Sequence, residues 1–141
     1  METNNLTISL CDNVGDDETL YRVVKHSRPD CITKNNGISP SLFKDPNGVS
    51  VDRDGGRSED DIIRYIVDST FEKRAKAIVS LVSAVCFEIG VDIIPAPSVL
   101  NPFHANIFLN DNEQIGNLQA LQLADRCKIV YYNSAMEWTI A

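Results

Sequence analysis

Two arginines, two histidines and a few hydroxyls are the side chains of this sequence best suited to chemistry. Arg22 and Arg53 carry planar forks of donors that fit phosphate oxygens two bonds at a time. His104 can move a proton near neutral pH. These three form the candidate catalytic set; Ser41, Phe43, Ser50 and His26 form the candidate ligand-binding set. If they converge, they make a pocket for a phosphate, a nucleotide or an RNA end. The plainer alternative is structural: Arg53 pairs with Asp52 around the Gly55-Gly56 turn, and His104 caps a strand. Two-histidine cleavage of RNA would need His26 and His104 at one scissile phosphate, which spacing alone does not fix.

Other sites fail on spacing. An EF-hand loop starting at Asp52 would have Arg57 where glycine is required and Ile63 where a bidentate glutamate is required. His26, Cys31 and Cys11 match no zinc pattern. Neither GxGxxG nor GxxxxGK[ST] occurs, and no GxSxG elbow supports a serine triad. No cofactor and no metal are therefore expected.

The segments Leu20-Tyr21-Arg22, Ser39 to Asp45, Val49 to Arg53 and His104-Ala105 carry a resemblance. The chain resembles a family of small, uncharacterised bacterial proteins with an LYR … SxxF … LSVDR … HA skeleton. It departs from that pattern at Val49, where the skeleton has leucine. The resemblance spans about Leu20 to Cys127 and implies one domain of similar fold, with no established activity.

Charge narrows the partners. The net charge of the 141 residues is -7, and five acids precede the first basic residue, Arg22. A field of that sign repels phosphate backbones at long range, which argues against broad nucleic-acid binding but leaves a local basic pocket open. It also suits docking to a basic protein. No stretch reaches the ~18 apolar residues of a membrane span. The N-terminus lacks a basic signal region, so a cytoplasmic chain with no membrane partner is expected. In that setting Cys11, Cys31, Cys86 and Cys127 read as reduced thiols, mostly buried.

The elements that must position the candidates are legible in outline. Leu6–Leu10 alternates at period two and reads as a strand, and Leu20–Val24 as the next. Residues 27–48 form a long irregular loop ending in the turn Asp45-Pro46-Asn47-Gly48. Val49–Asp52 reads as a strand. Ser58 caps a helix over about Glu59–Thr70, with acids in its first turn and an Asp60–Arg64 pair. Ala77–Val82 reads as a strand buried on both faces, followed by a short helix, Ser83–Ile89, stopped by Gly90. Val91–Ile94 is another strand, which Pro95 and Pro97 either end or place at an edge, and His104–Leu109 alternates as a further one. A helix over Leu118–Cys127, with Leu118, Leu121 and Ala124 on one face, precedes a last strand, Ile129–Tyr132.

This order predicts an α+β (or α/β) domain over 1–141: a single mixed or mainly antiparallel sheet packed with two main helices. Residues 1–18 form an acidic N-terminal segment and 133–141 a tail, with Trp138 docking on its own domain. Two functional classes stay open. One is a small-ligand, nucleotide- or RNA-phosphate-binding domain, with enzymatic activity as an extension, in a bacterial or phage conflict system. The other is an acidic protein-binding module without catalysis, of the immunity, antitoxin or anti-defence kind. Self-association is left open as a further partnership.

Overall fold

The computed structural model describes residues 13–69, 75–109 and 113–139. Leu6–Leu10 and Cys11 lie outside the described residues. Among the described residues six strands make one antiparallel sheet: β1 (Thr19–Lys25), β2 (Val49–Arg53), β3 (Ala75–Val82), β4 (Asp92–Pro95), β5 (His104–Phe108) and β6 (Lys128–Tyr132). Their order across the sheet is β4-β5-β2-β1-β3-β6, and every neighbouring pair is antiparallel. The sheet is therefore wholly antiparallel, within the α+β class that the element order predicts.

Strand β3 lies between β1 and β6, and its first seven residues are buried, as a strand covered on both faces must be. Helix α1 (Glu59–Asp68) packs Ile62 and Ile66 with Tyr21, Ala75 and Ile78 on one face. Helices α2 (Ser83–Ile89) and α3 (Asn117–Arg126) contribute to the larger core, which holds Leu20, Val49, Val51, Ala77 and Val79. Ser58 caps α1 by accepting from the Asp61 amide at 3.2 Å. Arg64 pairs with Asp61 at 3.2 Å rather than with Asp60, one of the two spacings a helix face allows.

Two details differ from the sequence pattern. Leu118 and Leu121 are exposed, at 61% and 54%. Ala120, Leu123 and Ala124 are buried instead, and Cys127 packs beside them. Both stripes fit a period of 3.6; the small alanines let α3 sit close to the 3₁₀ turn at Pro40–Phe43.

The irregular stretch 27–48 is also more ordered than its composition suggests. It holds 3₁₀ turns at Pro29–Cys31 and Pro40–Phe43 and an Ile32–Ile38 bridge. It buries Cys31, Leu42 and Phe43, so it acts as a wall of the core.

The tail folds back on its own domain. Buried Lys76 donates to the carbonyls of Asn133 and Met136 and stacks over Tyr132 and Trp138.

Candidate functional site

Strands β1 and β2 run together for only two paired positions, Leu20 with Arg53 and Tyr21 with Asp52. Beyond Tyr21 they part, and the 3₁₀ segment closes one side of the gap. A cavity of about 340 Å³ fills it, large enough for a small ligand. Arg22, Ser50 and His104 line it, together with Asp52.

Arg22 explains why the split is stable. Its Nε donates to the Leu42 carbonyl at 2.7 Å, and its Nη1 to the Ser50 carbonyl at 2.8 Å. The side chain thus supplies donors to two backbone oxygens, one on β2 and one in the 3₁₀ turn, and bridges the two across the gap. Two donors are used and both acceptors are neutral. Among the described residues no carboxylate bonds Arg22, and its Nη2 has no protein partner. Burial pulls the Arg22 guanidinium below its ordinary pKa, partly offset by Cys31 and Asp45 nearby. An arginine stays protonated regardless, so a positive charge with spare donors borders the cavity.

Lys25 and Arg28 add two more cations to the lining. Arg28 is held by Asp30 through bonds of 3.0 and 2.9 Å, which raise its pKa. Asp45, also in the lining, comes from the Asp45–Gly48 turn that the sequence marks. Its carboxylate accepts from the Asn47 amide at 2.9 Å.

Across the cavity stand Asp52 and His104, cross-strand partners on β2 and β5. The Asn101 side-chain amide donates to Asp52 Oδ1 at 2.7 Å. His104 Nδ1 lies 3.1 Å from the Ala96 carbonyl. A carbonyl can only accept, so Nδ1 carries the hydrogen and the neutral ring keeps Nε2 as its acceptor. Ser50 reaches Asn106 Oδ1 at 3.4 Å along the same pair of strands.

The remaining candidates lie elsewhere. Arg53 alternates onto the core side of β2 with Val49 and Val51, where it is fully buried. Its Nε and Nη2 grip Glu18 at 2.8 and 2.9 Å, so among the described residues Glu18, not Asp52, pairs with it. Phe43 is core. Ser41 sits in the 3₁₀ turn, where its amide donates to Ser39 Oγ at 3.2 Å. His26 is partly buried and bonds Thr139 at 2.7 Å, tying the tail to the end of β1. None of the four lines the cavity. Sequence reasoning missed Lys25, Arg28, Asp45 and Asn101 as site residues, and saw Asp52 as a partner for Arg53 and as the start of a calcium loop that fails on spacing. The readable signal for Asp52 was its period-two spacing from Ser50, which sets both on one face of β2.

Among the described residues no cluster of His, Cys, Asp and Glu has the makings of a metal site, and no helix is long and apolar enough to cross a membrane. In comparisons with known proteins, no family model, no curated protein and no solved structure matches the chain.

Proposed function

We propose that this domain binds a small phosphate-type anion in the cavity between β1 and β2. The observation that carries the reading is Arg22: among the described residues, a half-buried guanidinium bonded only to neutral carbonyls, with Nη2 unspent. Asp45 offsets the cost of burying this charge only in part, and an anionic ligand relieves more of it. Lys25 and Arg28 add two cations to the lining, against the carboxylates of Asp45 and Asp52, within a chain whose net charge is -7. Nucleotides and RNA ends are the biological carriers of such a group. His104, with a defined tautomer, is the residue on which proton transfer would rest if binding leads to a reaction.

The test is a thermal-shift and calorimetric screen with inorganic phosphate, pyrophosphate and nucleoside monophosphates, on wild type and Arg22→Gln. A ligand at about 100 times its dissociation constant adds about 2.7 kcal/mol to the stability of the form that binds it. Stabilisation of the wild type that is lost in Arg22→Gln supports the reading. A flat response in both proteins overturns it and favours the acidic protein-docking class.

A further inference from the structure

The two walls of the cavity differ in chemistry. The β1 side offers mostly donors: Arg22, whose Nη2 has no protein partner among the described residues, Lys25 and Arg28, with the Asp45 carboxylate near Arg22 and Arg28. The β2–β5 side offers acceptors. Asp52 uses Oδ1 for Asn101, and its Oδ2 has no protein partner among the described residues. His104 uses Nδ1 for Ala96, and Nε2 likewise has none. The two residues are directly opposed in the β2–β5 ladder, which sets their Cβ atoms about 4.5–5.5 Å apart. Acceptors at the edge of a cavity are satisfied by donors, and a bare phosphate dianion brings none.

We infer that the ligand is a phosphorylated sugar or a nucleotide bearing a free vicinal diol, with its phosphate at Arg22 and its two hydroxyls donating to Asp52 and His104. This rests on the anion reading above and adds the identity of the non-anionic half. Two neighbouring hydroxyls match two neighbouring acceptors, and a polar cavity of about 340 Å³ suits a pentose phosphate better than a long apolar tail. Asn101 acts as a positioning residue: its amide holds one Asp52 oxygen and leaves the other for the ligand.

Titration calorimetry on the full chain tests this with four probes: inorganic phosphate, ribose 5-phosphate, 2-deoxyribose 5-phosphate and phosphoethanolamine. Wild type should bind ribose 5-phosphate at least about ten-fold tighter than the other three, the size of effect expected when paired polar groups are left unmatched. In Asp52→Asn that advantage should vanish while phosphate binding stays, because the substituted amide keeps an acceptor for Asn101 and loses the second one. His104→Ala should reduce the advantage in the same direction. Equal affinity for ribose and deoxyribose phosphates, tighter binding of phosphoethanolamine, or an Asp52→Asn variant that keeps the preference would overturn the diol inference and leave the anion reading standing. If no probe binds wild type, both fall together.

Discussion

Arg53 Nε and Nη2 lie 2.8 and 2.9 Å from the two carboxylate oxygens of Glu18, and the arginine has no solvent exposure. Around this pair the polar groups are matched. Glu18 Oε2 also accepts from the Gly15 amide at 3.0 Å. Ser83 Oγ donates to the Gly15 carbonyl at 2.6 Å and accepts from the Glu18 amide at 3.1 Å. The network ties the chain before β1 to the end of β2 and the start of α2. It thereby fixes the closed end of the β1–β2 split, from which the cavity opens.

Breaking the pair on one side should therefore be severe. Arg53→Met leaves Glu18 buried and uncompensated, at a cost of about 3–5 kcal/mol, a large part of a typical domain's stability. Adding Glu18→Gln should recover part of that loss, since an unmatched charge costs more than an unmatched amide. Urea denaturation of the two single variants and the double variant measures it. Losses that simply add would show the residues act independently.

The same pair predicts a pH dependence. Burial pushes the Glu18 carboxyl up, but hydrogen bonds from Arg53 and Gly15 outweigh it and hold the group below its ordinary 4.5. A carboxyl with a lowered folded pKa gives stability that is complete above its unfolded value and is lost as pH falls through the folded one. Urea midpoints should thus hold steady from pH 7 to about 5 and fall below that. Glu18→Gln should be less stable at pH 7 and show a shallower decline under acid. An unchanged slope would remove Glu18 from the acid response.

Much of the framework was legible because it depends on local pattern. The pattern of Val49–Asp52 gave β2, and carried one residue further its alternation places Arg53 on the core face with Val49 and Val51. The charge of Arg53 drew it toward a pocket instead, since a buried arginine makes sense only once its acid is known. Glu18 lies 35 residues away, and nothing in the spacing of the two names them as partners. The cavity was hidden for the same reason. It depends on where β1 and β2 stop pairing and on which β5 residue faces Asp52, and both are set by register. Arg22, Ser50 and His104 were picked by type, and only the sheet order brings them together.

The turn carrying Asp45 should tolerate little change. Gly48 has a φ of +98°, and a Cβ there would meet Phe108 Cζ at 2.6 Å. Gly48→Ala combines backbone strain of about 1–3 kcal/mol with a clash against β5. Gly90→Ala is the control: its φ is +94° but no atom lies within 4 Å of the added carbon. Thermal melts should show Gly48→Ala losing clearly more than Gly90→Ala. Equal losses would mean that Phe108 yields freely and that strain alone sets the cost.

The thiols give a readout of local opening. Cys86 is fully buried on α2, and burial pushes its pKa up to about 12. Cys127 is partly exposed, yet burial of the thiol again pushes its pKa up to about 12. Cys31, also buried, is shifted up by the same cause. The thiolate is the reactive form, so all three should alkylate slowly at pH 7.5 in the folded protein. Iodoacetamide labelling followed by peptide mass spectrometry should find Cys86 protected until global unfolding. Cys31 borders the cavity, so a bound ligand should slow its labelling and leave that of Cys86 unchanged. Labelling of Cys31 that ignores a ligand shown to bind would place that ligand away from the β1–β2 split.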